Sequence, residues 1–251
     1  MTKATKATLT AVYERLWAAF GPQEWWPAQT RFEVIVGAIL TQNTNWSNVE
    51  KALINLKSDK LLSPQALKKI SPRELSLLIR PAGYFNVKAR RLKNFISFLF
   101  NEYDGHLKRM MKEDCCSLRQ KLLHVNGIGP ETADSILLYA LDKPVFVVDA
   151  YTKRMLYRHN MIASDADYGT IQEMFMKALK SDAQMFNEYH ALIVRLGKDF
   201  CRPKPLCSQC ALNDFHYSLT VKCSLCHRAL SEREGRNPSK GEYLCRECNA
   251  K

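Results

Sequence analysis

Seven of the nine cysteines lie in the last 51 residues, spaced as metal ligands are. Cys223-x2-Cys226-x18-Cys245-x2-Cys248 forms two knuckles at zinc-ribbon distance. Each knuckle offers two thiolates, and together they close a tetrahedral S4 site for Zn. In so short and polar a segment, metal binding would supply the folding energy. Cys201-x5-Cys207-x2-Cys210-x5-His216 offers three thiolates and one imidazole. That set suits a [4Fe–4S] cluster or Zn, or is a loop without metal. Cys115 and Cys116 have no second pair nearby and read as buried thiols.

A second group of residues points to nucleic acid. Val125-Asn126-Gly127-Ile128-Gly129-Pro130-Glu131-Thr132-Ala133 reads as a tight turn opening a helix. Gly127 and Gly129 permit positive φ and the close approach of another backbone. Turn N–H groups at a helix start suit a phosphate oxygen; an ordinary helix–helix connection has the same pattern. Asp149 stands 18 residues beyond Glu131, after an apolar run and before a helix, where a carboxylate can cap the helix or do chemistry. Trp25, Trp26 and Pro27, with Trp46, either pack a core or wall a slot for a planar base. Lys88, Arg90, Arg91 and Lys93 place four charges in six residues, as a phosphate contact or a solvated face. Lys153 and Arg154 follow Asp149 and are candidates for the DNA backbone.

These residues need elements to carry them. Apolar spacing of i, i+3, i+4, i+7 recurs from Leu9 to Gly197 and predicts about ten short helices, an all-α body. Leu9–Phe20, Phe32–Leu40, Val87–Tyr103 and Glu131–Leu141 are examples. Ser63-Pro64 and Ser71-Pro72 place an N-cap before Pro at the first helical position. Only Pro144–Val148 reads as extended. The pattern changes after residue 200, and a domain boundary is expected near 217–221. Ser231–Glu242, between the knuckles, has turn chemistry at Asn237-Pro238 and Gly241.

Composition bounds the rest. A chain of 251 residues with 46% hydrophobic content can bury a full core and is neither a disulfide mini-protein nor disordered. A net charge of +12 fits a polyanion partner without specifying one. No apolar stretch reaches a membrane span, and no signal-peptide pattern opens the chain. The cysteines are therefore expected as thiols in a reducing compartment.

The order of hairpin, helix, apolar run and Asp149 resembles the helix-hairpin-helix DNA glycosylases of the endonuclease III superfamily, over roughly residues 20–216. The family hairpin is Leu-Pro-Gly-Val-Gly-x-Lys-Thr-Ala. The resemblance implies a two-lobed fold with a catalytic Asp149, a hairpin of Gly127, Ile128 and Gly129 on the DNA backbone, and Gln42 in Leu40-Thr41-Gln42-Asn43-Thr44 probing the gap left by a flipped base. It also implies that 201–216 is the family's iron–sulfur loop, although the first gap is one residue short and His216 replaces the fourth Cys. Residues 217–251 would be an added zinc ribbon. Trp25-Trp26-Pro27 and the segment Arg80-Pro81-Ala82-Gly83-Tyr84-Phe85-Asn86 are similar to the 3-methyladenine (methylpurine) glycosylase branch. There Trp25, Trp26, Pro27 and Trp46, a Phe in that branch, would line the base pocket.

Bifunctional members carry Lys at position 131, and Glu131 cannot form a Schiff base. The expectation is a monofunctional glycosylase with weak or absent lyase activity, releasing an alkylated purine from double-stranded DNA. Alternatives are a glycosylase/lyase for oxidised pyrimidines and a non-catalytic damage-binding protein. A monomer, cytoplasmic and nucleoid-associated or nuclear, without membrane contact, is expected; the ribbon's partner is left open.

Overall fold

A computed structural model describes residues 6–213, 215, 236–237 and 242–243. His216, the boundary near 217–221 and Cys223, Cys226, Cys245 and Cys248 lie outside the described residues. The helices are α1 (Lys6–Phe20), α2 (Arg31–Leu40), α3 (Trp46–Ser58), α4 (Pro64–Lys69), α5 (Pro72–Leu78), α6 (Phe85–Tyr103), α7 (Leu107–Met110), α8 (Cys115–His124), α9 (Pro130–Ser135), α10 (Ala150–Arg158), α11 (Tyr168–Ala178) and α12 (Ala183–Asp199). Single 3-10 turns lie at Arg80–Ala82 and Cys207–Gln209. Two-residue strands, β1 (Arg236–Asn237) and β2 (Glu242–Tyr243), pair antiparallel. No described helix is long and apolar enough to cross a membrane.

The helix starts follow their caps. Ser63 and Ser71 accept from the N–H groups of Ala66 and Glu74, and Ser71 with Glu74 closes a capping box. Thr30, Asn45, Asp114, Asp149 and Asp167 cap α2, α3, α8, α10 and α11 the same way. Each such cap contributes about 1 kcal/mol. Two expectations change in detail. Glu131–Leu141 is not one helix: α9 gives way to a π-helical turn at Ile136–Ala140. Pro144–Val148 is irregular, with Val145 to Val148 all buried.

The chain forms two compact units. The central unit is Gln23–Val147 with Lys180–His190. Its axis is α2, where Phe32 and every residue from Glu33 to Leu40 are buried. Helix α2 packs against α3, α6, α9 and the π turn, so its apolar surface is covered all round. The terminal unit is Met1–Pro22, Val148–Leu179 and Ala191–Lys251. There α1 presents Leu9, Val12 and Leu16 and packs on α11, which buries Ile171 and Phe175. Phe20 stacks on Phe200 with ring centroids 5.6 Å apart. Gly197 allows the Tyr151 ring onto α12, since a Cβ there would lie 2.3 Å from Cδ1.

Candidate DNA and base-binding site

The hairpin between α8 and α9 belongs to the central unit. Gly127 has φ +94° and lies under Arg91, whose Cγ would be 2.3 Å from a Cβ at that position. Gly129 differs: its φ is −92°, and a Cβ there would meet nothing within 4 Å. The expectation of positive φ at both glycines therefore holds only at Gly127. Gly129 is the N-cap of α9 and has no side chain to bond the first-turn N–H groups. Ile128 was expected among the DNA contacts and is corrected here. Its side chain is buried and its N–H donates to Val125 O at 3.0 Å, because it anchors the turn to the core. Glu131 is exposed in the first turn of α9, a favourable end for an acid.

Helix α6 grips this hairpin. Asn94 Nδ2 donates to Asn126 O at 2.9 Å. Arg91 donates to Gln42 Oε1. Gln42 Nε2 donates to Gly127 O at 3.0 Å and to Thr132 Oγ1 at 2.8 Å. Gln42 is half-buried, just beyond the end of α2.

The basic cluster on α6 divides. Arg90 is exposed. Lys88 is 1% exposed, which corrects its expected role as a phosphate contact. Its ammonium donates to Leu40 O at 2.9 Å, Thr44 Oγ1 at 2.7 Å and Ala82 O at 2.7 Å, closing the ends of α2 and the 3-10 turn. Lys93 likewise donates to Leu67 O and Lys68 O at the end of α4. Burial, and then the Arg91 charge, pulls Lys88 from 10.5 down to about 8. Lys88→Met would strip Leu40 O of its ammonium donor, while Ala82 O keeps the Thr44 hydroxyl, and is expected to cost about 1–3 kcal/mol in urea unfolding. The salt dependence of DNA affinity should not move. Above pH 8 the unfolded chain holds this proton more tightly than the folded one. The contribution of Lys88 to stability therefore rises with pH from about 8, and the gap to Lys88→Met should widen there.

The three aromatic pocket candidates, Trp25, Trp26 and Trp46, fall into one place. Trp26 lies 5.3 Å from Trp25, and 5.1 Å from Trp46 edge-on at 82°. Trp25 and Trp46 are 6.0 Å apart. All three indoles are partly exposed, and Pro27 is exposed beside them. The Trp25–Trp26 peptide is cis. Gly37 on α2 sits against the cluster, where a Cβ would lie 3.5 Å from Trp26 and 3.6 Å from Trp46. Two partners escaped sequence reasoning. Tyr139, on the π turn, packs 5.2 Å from Trp26, and its hydroxyl is hydrogen-bonded to His190 Nδ1. Glu50 accepts from Trp46 Nε1 at 2.7 Å. The i, i+4 spacing of Trp46 and Glu50 was the readable signal for that pair; nothing distinguished Tyr139 from its apolar neighbours.

The terminal unit carries Asp149 as the N-cap of α10. Its Oδ1 accepts from Thr152 N–H at 2.7 Å and from the Thr152 hydroxyl at 2.9 Å, which fixes the carboxylate in one orientation. Lys153 is exposed one turn in. Arg154 is drawn to the carbonyls of Cys201 and Gly197 instead.

In the same unit Cys201 is buried, Cys210 half-buried and Cys207 exposed. Cys201 Sγ accepts from Arg158 Nη1 at 3.3 Å, and Cys210 Sγ from Leu212 N–H at 3.4 Å. Such donors suit thiolates, so the donor chemistry fits a soft metal. Among the described residues no three such side chains are grouped to hold a metal ion. Burial raises the Cys210 thiol, and the Cys201 and Cys207 thiols add to the effect. Cys115 and Cys116 correct another expectation: Cys115 is half-buried and Cys116 exposed at the start of α8.

A glycine hairpin pinned to a helical body, with an Asp capping a helix further along, defines a helix-hairpin-helix DNA glycosylase. The family described as HhH-GPD superfamily base excision DNA repair protein matches residues 36–181, and the chain belongs to it. The putative DNA repair glycosylase MJ1434 of Methanocaldococcus jannaschii is 52% identical over 206 residues, 81% of this chain and 93% of that one. Among solved structures, the H. pylori 3-methyladenine DNA glycosylase (MagIII) bound to 1,N6-ethenoadenine has a TM-score of 0.66 and 29% identity. The match covers 77% of this chain and 96% of that one. A non-covalent endonuclease III–DNA complex shares the fold at a TM-score of 0.71 and 22% identity, over 82% and 92% of the chains.

Proposed function

We propose that this glycosylase is monofunctional and hydrolyses the N-glycosidic bond of a flipped alkylated purine, such as 3-methyladenine, in double-stranded DNA. The observation that carries the reading is the cluster of three partly exposed indoles, with a carboxylate on one of them. A purine nucleotide methylated at N3 of adenine or N7 of guanine carries a positive charge on its base, and stacking that base on Trp gains about 0.5–2 kcal/mol. Glu50 on the Trp46 N–H makes that ring more electron-rich, which favours a cation further. The MagIII relative is described as acting on 3-methyladenine and was solved with a modified adenine.

The chemistry asks little of the protein. The glycosidic bond breaks with its electron pair leaving on the base, which is already activated by its positive charge. Asp149 stabilises the cationic sugar and takes the proton of the water that adds to C1′. Glu131 offers no amine, so no Schiff base forms at that position. The hairpin holds the DNA backbone, and Arg90 and Lys153 contact phosphates. Cys201, Cys207, Cys210 and His216 would hold a [4Fe–4S] cluster, or Zn, as a structural brace. Cys223, Cys226, Cys245 and Cys248 would hold Zn.

The test is release of 3-methyladenine or 7-methylguanine from methylated DNA, beside thymine glycol and uracil duplexes. Release of only the last two overturns the alkylpurine reading. Borohydride should trap no covalent DNA adduct; strong trapping would reject the monofunctional reading in favour of a lyase. Iron and zinc analysis, with an absorbance band near 400 nm for a cluster, decides the metals.

A further inference from the structure

We infer that Arg91 is a positioning residue that locks Gln42 to the hairpin, so that hairpin and Gln42 act as one rigid element. The inference rests on the proposed reading, in which the hairpin holds the DNA backbone and Gln42 faces the gap beside a flipped base. The geometry that carries it lies wholly within the central unit. The Arg91 stem covers Gly127, whose missing Cβ would stand 2.3 Å from Cγ and 2.9 Å from Cδ. The Arg91 guanidinium then donates to Gln42 Oε1. The amide of Gln42 returns to the hairpin, donating to Gly127 O and Thr132 Oγ1. Asn94, three residues on along α6, holds Asn126 O. Two residues of α6 thus grip adjacent hairpin residues, and one of them also orients Gln42.

The donor count sharpens this. A carboxamide has two N–H donors and two acceptor lone pairs. Both Gln42 donors are taken by the hairpin, and one lone pair by Arg91. One acceptor remains for DNA. Without Arg91 the amide can rotate and offer a donor instead, so the removal of a residue that touches no base would change what Gln42 presents.

The experiment compares Arg91→Ala, Gln42→Ala, the double variant, and Arg91→Lys, which keeps the stem over Gly127 and one donor. Two quantities are read: single-turnover release of whichever damaged base the wild type removes, and the salt dependence of affinity for undamaged duplex. Each single alanine variant is expected to slow release about tenfold, and the double to be no slower than the slower single. Arg91→Lys should recover part of the rate. The slope of log affinity against log salt should stay unchanged in Arg91→Ala. A slope reduced by about one would make Arg91 a phosphate contact and overturn the inference. Unchanged release, or fully additive losses, would overturn it as well. If the wild type releases uracil or thymine glycol but no alkylpurine, the substrate reading fails while the Arg91 cycle is decided on that base. If it releases none, the same cycle is read in affinity for a duplex with a stable abasic site, where additivity again rejects the coupling.

Discussion

Asp149→Asn is expected to abolish base release while leaving the fold and the DNA affinity in place. The residue has two possible duties, and this substitution separates them. Asn is as good an N-cap as Asp, so both bonds from Thr152 can persist and stability should change by less than about 0.5 kcal/mol. What disappears is the negative charge. If that charge stabilises the sugar cation and takes the proton from water, single-turnover release should fall about a thousandfold or more. Asp149→Ala loses the cap too and should also cost about 1 kcal/mol in unfolding. A residue that only capped α10 would show the opposite ranking: full activity in Asn, and a modest, stability-linked loss in Ala.

The two hairpin glycines should respond in different experiments. Gly127→Ala meets Arg91 Cγ at 2.3 Å in a backbone conformation that L side chains rarely adopt, so the protein itself must shift. It should lose about 1–3 kcal/mol of stability, and DNA affinity with it. Gly129→Ala meets nothing within 4 Å at φ −92°. Thermal unfolding should register at most about 1 kcal/mol, the difference between Gly and Ala as an N-cap. If the hairpin carries the DNA backbone, the added methyl stands in the path of that backbone, and affinity should drop about tenfold. A Gly129→Ala protein that binds duplex as tightly as wild type would remove the hairpin from the interface.

The two glycines also mark where sequence reading stops. Helix positions were legible because caps are local: Ser63, Ser71 and Asp149 each bond a backbone group three residues on. The hairpin was legible as a unit for the same reason. Which glycine is covered and which is bare is set by Arg91, 36 residues away in the chain, and no local pattern carries that. Lys88 failed for a related reason. Four charges in six residues look alike in sequence, yet helix periodicity turns Lys88 inward to three carbonyl and hydroxyl acceptors and leaves Arg90 outside. The indoles were legible as a set, because Trp25 and Trp26 are adjacent and Trp46 opens α3. Tyr139 was not, because a kink into π geometry inside an apolar run has no sequence signature.

The terminal unit is assembled from three separate stretches of chain, and this bears on how the protein is born. Helix α1 is made well before its partner α11, which begins only at Tyr168. At about 5–20 residues per second, the roughly 150 intervening residues take about 7–30 s. For that interval α1, with its buried Leu9, Val12 and Leu16, lacks the α11 surface it packs on, while nearly all of the central unit is already available to fold. The nascent chain therefore carries the apolar stripe of α1 without its α11 partner until α11 has been made. Chaperone engagement and loss to aggregation should depend on α1 far more than its small share of the finished core would indicate.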